Sequence, residues 1–266
     1  MSDCKNIVKL FFIRHGLSCS NYGREHGRDW ELSDPFLAET GIRDLEEYGK
    51  VISKNNIKPD YVFSSSLLRA IQTAQILFPE HVVNVSPYIN ETFKHELVEN
   101  EPTPPSRQLK YIKRENVRYL YLGSGAEDLD TLFNNRKKEY NTPDFDKFLN
   151  WLTNKLKISL NTKKRLTIAV VGHGNFMYNM LISKNMLKDE KDEDKQKKMR
   201  PWNVAIVEMN LCKKSGKNLE PYTKDCKKMT TLAGKENYGY PCYGMKLLGF
   251  VDAKKGGISQ NCEDHD

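Results

Sequence analysis

Apolar positions along the chain follow two alternating patterns. Ile7 to Ile13 is a nearly continuous run of branched and aromatic residues, which predicts a strand buried on both faces. Asp60 to Ser64 and His81 to Val85 predict further strands, and Arg165 to Val171 is the clearest of the set. Between these runs, apolar residues recur at helical spacing over Ala38 to Lys54, Leu67 to Phe78, Asp144 to Leu160 and Phe176 to Leu187. Strands alternating with helices imply a mostly parallel sheet covered on both sides, so the expected fold class is α/β, a three-layer α/β/α sandwich. Asn203 to Leu211 and Met245 to Val251 predict two late strands.

Two stretches break the rhythm. Thr92 to Tyr140 contains Pro102, Pro104 and Pro105, many charges and little clear periodicity, and reads as an insertion over one end of the sheet. Lys188 to Arg200 reads as a charged loop, and the polar segment from Ala253 to Asp266 as a disordered tail. The expected organisation is one α/β domain over residues 1–252, with insertions at 92–140 and 188–200, followed by the tail at 253–266.

Composition narrows the classes. The 42 Lys and Arg residues against 35 Asp and Glu give a net charge of +7, but the basic residues are dispersed among acidic ones, which argues against a nucleic-acid partner. No apolar run approaches the roughly 20 residues of a membrane helix, and Met1 to Lys9 does not read as a signal peptide. Cys4, Cys19, Cys212, Cys226, Cys242 and Cys262 form no Cys-x-x-Cys pair, so reduced thiols and a cytoplasmic location are expected. No spacing suits a metal or other cofactor, and none is expected. Oligomeric state is not readable.

Candidate chemistry lies at strand ends. The first strand closes on Arg14-His15-Gly16, where glycine permits the chain to leave the sheet, and ligands of open parallel sheets bind beyond such carboxyl ends. The Arg165 strand closes in the same way, on Gly172-His173-Gly174. If the two strands are neighbours, the imidazoles converge. Ser64-Ser65-Ser66-Leu67-Leu68-Arg69 is a third strand end running into a helix. Leu67, Ala70, Ile71, Ala74, Leu77 and Phe78 form its buried stripe, which leaves Arg69 off the stripe in the first turn. A cation there opposes the helix dipole unless a bound anion compensates it, and a guanidinium fork suits phosphate oxygens.

Taken together, Arg14-His15-Gly16-x-Ser18-x-x-Asn21, Leu37 and Gly41, Leu68-Arg69-Ala70-x-Gln72-Thr73-Ala74 and Val171-Gly172-His173-Gly174 resemble the histidine phosphatase superfamily, the phosphoglycerate-mutase-like proteins. The resemblance spans residues 7 to about 180, leaving 92–140 and most of the chain after Leu187 without motif support. It implies a phosphoglycerate-mutase-like fold in which His15 attacks phosphorus and carries the phosphoryl group, while Arg14, Asn21, Arg69 and His173 hold its oxygens. No metal is then needed. The family's proton donor follows the third strand in a Leu-x-Glu pattern. Ile89-Asn90-Glu91 is the nearest match, which makes Glu91 the expected donor, with Glu96 and Glu99 close behind.

The implied activity is hydrolysis of a phosphomonoester, with a small phosphorylated molecule or a phosphoprotein as partner. The alternatives are a phosphoglycerate mutase and a phosphate-binding module without turnover. Against the mutase, Thr92-Phe93-Lys94-His95 follows Glu91 where mutases carry a Tyr-Gly and a Gly-Leu-Asn signature, and Ser20 stands where they place Trp. Against the module, His15, Arg69 and His173 are all intact. Glu25-His26-Gly27-Arg28 echoes the first motif without a preceding strand and reads as loop, and Glu263 to Asp266 as charged tail.

Overall fold

The structure is a computed structural model. It describes residues 6–28, 31–91, 97–122, 128–135, 143–156, 165–183, 203–213, 219–221, 232–233, 236–237, 246–247 and 262. The expected loop at 188–200, the distal parts of the helices expected to reach Leu160 and Leu187, and all of the tail but Cys262 lie outside the described residues.

Strand β1 (Asn6–Arg14) is followed by helices α1 (Cys19–Glu25) and α2 (Glu39–Lys54), then by β2 (Tyr61–Ser64), α3 (Leu68–Leu77) and β3 (Val83–Val85). The segment after Glu91 contributes a short turn at Val98–Asn100, α4 (Pro105–Gln108), β4 (Val117–Arg118) and α5 (Leu129–Asn135). Next come α6 (Phe145–Lys155), β5 (Arg165–Gly172) and α7 (Gly174–Ser183). Strands β6 (Ile206–Lys213), β7 (Leu219–Pro221), β8 (Leu232–Ala233), β9 (Glu236–Asn237) and β10 (Lys246–Leu247) close the described chain.

One sheet of eight strands runs β10-β6-β1-β5-β2-β3-β4, with β7 paired on β6. The stretch from β1 to β4 is parallel, and β6, β7 and β10 add an antiparallel edge. Residues of β1 alternate between two cores, as the strand period demands. Val8, Leu10 and Phe12 pack with Phe148, Leu149 and Leu152 of α6 and Met177 of α7. Phe11 and Ile13 face the other way, onto Leu45 and Tyr48 of α2 and Ala70 and Ala74 of α3. Helices therefore cover both faces, and the fold is the expected α/β/α sandwich.

Helix ends are fixed by polar side chains. Ser18 caps α1 by accepting the Asn21 N–H, and Asp144 caps α6 by accepting from Asp146 and Lys147. Leu67 provides no cap for α3. Asp34, far off in sequence, accepts the Leu68 N–H at 2.7 Å instead. The Glu25-His26 segment is not loop: it forms the last turn and cap of α1, where His26 stacks on Tyr22.

The cysteine expectation is corrected. Cys19 and Cys262 form a disulfide, and Cys212 is disulfide-bonded as well. Cys262 is also buried against Leu17, Tyr22 and Leu68, so the expected disorder of the tail fails at this residue. The pairing spans 243 positions of sequence, and local spacing carries no trace of a contact made only by tertiary folding.

Candidate active site

Sheet order brings the strand ends together. Because β5 lies between β1 and β2, Arg14 pairs with Gly172 in register, and His15 and Ser65 donate backbone N–H groups to Gly172 and Val171 on either side of it. The His15 and His173 ring centroids are 5.0 Å apart, and both residues are buried. Gly174 makes room for Arg14: a Cβ there would stand 3.0 Å from Nε and 3.2 Å from Cζ of the guanidinium.

The protonation of His15 follows from its partner. Nδ1 lies 2.6 Å from the Gly16 carbonyl oxygen, which only accepts, so Nδ1 carries the proton and Nε2 keeps its lone pair. Burial, reinforced by Arg69, Arg14 and Arg24, holds the pKa of His15 well below its ordinary value. The ring is thus neutral near neutrality, with the lone pair of Nε2 available. Gly16 is itself anchored, its N–H donating to Thr73 Oγ1 at 3.0 Å while that hydroxyl donates to the Arg69 carbonyl at 2.7 Å.

Arg69 is buried, contrary to its expected place off the stripe, because the turn at Val98–Asn100 lies over it. Nη1 donates to the Glu99 carbonyl at 2.7 Å and Nη2 to Asn100 Oδ1 at 2.9 Å, while Nε is buried without a partner among the described residues. Burial lowers the pKa of this guanidinium, against the pull of Glu99, Asp34 and Glu91. Asn21 Oδ1 receives the Ser18 hydroxyl at 2.9 Å and Arg24 Nη2 at 3.2 Å, which fixes that amide at the start of α1.

Glu91 sits at the start of α7, where Oε1 accepts the Phe176 N–H at 3.0 Å and Oε2 the Asn175 N–H at 3.4 Å. These bonds hold its carboxylate two residues from His173. Glu99 is held in an ion pair, with Oε2 accepting from Arg24 Nη1 at 2.9 Å. Glu96 lies outside the described residues.

Four polar residues that no motif singled out complete the setting. Asp34, buried and at a φ of 47°, accepts from the Leu68 and Thr103 N–H groups, the Thr103 hydroxyl and Gln108 Nε2. Burial raises its pKa, opposed by those hydrogen bonds and by Arg69. It ties α3, and with it Arg69, to the segment after Glu91. Arg24 joins Asn21 to Glu99, and Ser65 and Asn90 link His173 to the ends of β2 and β3. Ser65 and Asn90 fall inside quoted stretches, yet a serine run at a strand end and an amide before a glutamate carry no distinct signal. Asp34 was hidden by the long-range nature of its bonds.

Part of the chain matches a known family. Residues 10–94 match the family model of the histidine phosphatase superfamily, branch 1. The histidine phosphatase match includes Arg14, His15, Asn21, Arg69 and Glu91, and ends before His173. Within it, Gln72 accepts the Leu37 N–H at 2.8 Å and Thr73 accepts that of Gly16, so the polar residues of the helical motif fasten α3 to the loops after β1.

Solved structures are similar at low identity. A mycobacterial hydrolase shares 16% identity at a TM-score of 0.49, over 82% of this chain and 90% of that one. The phosphoglycerate mutase of Bacillus anthracis shares 16% at 0.45, over 82% and 94%. A mutant phosphoserine phosphatase of Entamoeba histolytica, in complex with phosphoserine, shares 19% at 0.44, over 80% and 94%. Among the described residues no helix is long and apolar enough to cross a membrane.

Proposed function

We propose that this protein is a phosphoric monoester hydrolase that works through a phosphohistidine on His15. The observation that carries this reading is the bond from His15 Nδ1 to the Gly16 carbonyl, which leaves Nε2 as a neutral nucleophile beside a second buried histidine and buried Arg69. In the first step Nε2 attacks phosphorus, the phosphorus–oxygen bond to the leaving alcohol breaks, and that oxygen takes a proton from Glu91. In the second, water attacks phosphorus, gives its proton to Glu91, and the phosphorus–nitrogen bond breaks. Arg14, Asn21, Arg69 and His173 are assigned to the phosphoryl oxygens, where fixed donors stabilise the charge that develops in transit. The substrate class is a small phosphorylated molecule or a phosphoprotein. The disulfides point to an oxidising compartment, in place of the expected cytoplasm.

Rapid quenching during turnover of a radiolabelled monoester, in chelator, should trap an acid-labile, alkali-stable phosphate on the wild type and none on His15→Ala. Accumulation on His15→Ala removes His15 from the role. Primer-dependent isomerisation of 3-phosphoglycerate that outruns phosphate release makes the protein a mutase instead.

A further inference from the structure

The protons around His173 can be placed from one forced assignment. The Ser66 backbone N–H can only donate, and it lies 2.9 Å from Asn90 Oδ1, so that atom is the amide oxygen. Ser65 Oγ lies 2.9 Å from the same oxygen, which cannot donate, so the hydroxyl proton belongs to that bond. Ser65 Oγ also receives the Leu67 N–H at 3.1 Å. With its single proton committed, Ser65 Oγ can only accept from His173 Nε2, 2.7 Å away. His173 is therefore the Nε2–H form. Its Nδ1 is buried and has no partner among the described residues.

This arrangement poses a chemical problem for an anion pocket. A bare Nδ1 is an acceptor, and so is every phosphoryl oxygen. The two repel unless Nδ1 gains a proton. Among the described residues, Arg69 on α3 and His15 and Arg14 at the end of β1 act on the ring, and Glu91 binds the N–H groups of Asn175 and Phe176, two and three residues on. Burial first, then Arg69, His15 and Arg14, hold the pKa of His173 well below its ordinary value. A tetrahedral dianion reverses that balance.

Resting on the phosphoryl-site reading above, we propose that Ser65 and Asn90 are positioning residues that hold His173 with its Nε2 proton turned into the protein, so that the oxyanion enters together with one proton, bound at Nδ1. The only bond formed in this step is N–H at Nδ1, and the proton comes from the solvent buffer. The resulting imidazolium then donates in both directions, to Ser65 and to the phosphoryl oxygen. Wherever the ring is neutral when free and charged when occupied, affinity for a dianion falls tenfold per pH unit. Removing the Ser65 hydroxyl frees the ring to donate from Nδ1 as a neutral imidazole, which abolishes the coupling.

The test is calorimetric titration with tungstate, a tetrahedral dianion that carries no proton near neutrality, in buffers of different ionisation enthalpy. About one proton per tungstate should be taken up by the wild type, by His15→Asn and by Ser65→Thr, and about none by Ser65→Ala. Nitrogen NMR of labelled histidine should show the Nε2–H form of His173 in the free protein and the doubly protonated ring in the complex. The wild-type and His15→Asn measurements, with the NMR, decide the matter even if Ser65→Ala does not fold. Tungstate binding without proton uptake overturns the proposal, as does uptake that disappears in His15→Asn, which puts the proton on the other ring. Absence of both tungstate binding and monoester hydrolysis would bring down the phosphoryl-site reading itself, and this inference with it.

Discussion

Thr73 joins the first strand end to α3 through a single hydroxyl, and replacing it with valine isolates that link. Its side chain is fully buried, and Oγ1 accepts the Gly16 N–H at 3.0 Å while donating to the Arg69 carbonyl at 2.7 Å. Valine keeps the shape and deletes the acceptor. The Arg69 carbonyl retains its helical role, so the cost falls on the buried Gly16 N–H, about 1–3 kcal/mol for an orphaned donor. Serine gives the reverse change: it keeps the hydroxyl and loses one methyl, about 1 kcal/mol. Urea unfolding should therefore place Thr73→Val about 2 kcal/mol below the wild type and Thr73→Ser about halfway between. Because the Gly16 carbonyl fixes the His15 tautomer, kcat of Thr73→Val should fall about tenfold, equivalent to a loosened peptide costing about 1.4 kcal/mol in the transition state. A valine variant as stable as the wild type, or more stable than the serine variant, would refute the assignment of Thr73 as the anchor of Gly16.

Gly41→Ala should destabilise by about 3 kcal/mol, because its Cβ would lie 2.3 Å from the rigid Leu17 carbonyl and push α2 off the loop after His15. Gly49→Ala, on the same helix with nothing within 4 Å, should instead stabilise by about 0.5–1 kcal/mol, and urea unfolding of the pair checks both signs. His15 and His173 have folded pKa values below their unfolded ones, so the unfolded chain binds more protons. Their stability contribution is complete above the ordinary histidine range and is lost as pH falls through and below it, by about 1.4 kcal/mol per pH unit per ring. The double variant His15→Asn/His173→Asn should show a flatter profile under acid titration of unfolding. Glu91→Gln should slow hydrolysis of alkyl phosphates about 100-fold while sparing activated aryl phosphates, and an equal loss on both, measured as kcat, would reassign Glu91 to positioning.

The parts of this protein that depend on neighbours in sequence were legible without a structure. The run from Ile7 to Ile13 is apolar on both faces because its strand has helices above and below it, and β5 could be read for the same reason. The helical spacing of Ala70 and Ala74 likewise reports which face of α3 is covered, and the residues at strand ends stand out because a glycine beside a histidine has no place in a core. Sheet order was not legible. Only the insertion of β5 between β1 and β2 brings His173 to His15, and parallel pairing across more than a hundred residues leaves no local pattern. The burial of Arg69 under the Val98–Asn100 turn, the cap that Asp34 lends to α3, the Ser65–Asn90 link to His173 and the Cys19–Cys262 bond have the same origin. Each joins groups whose chemistry is ordinary in isolation, and it is their shared burial, where an unmet hydrogen bond or charge is costly, that gives them their roles.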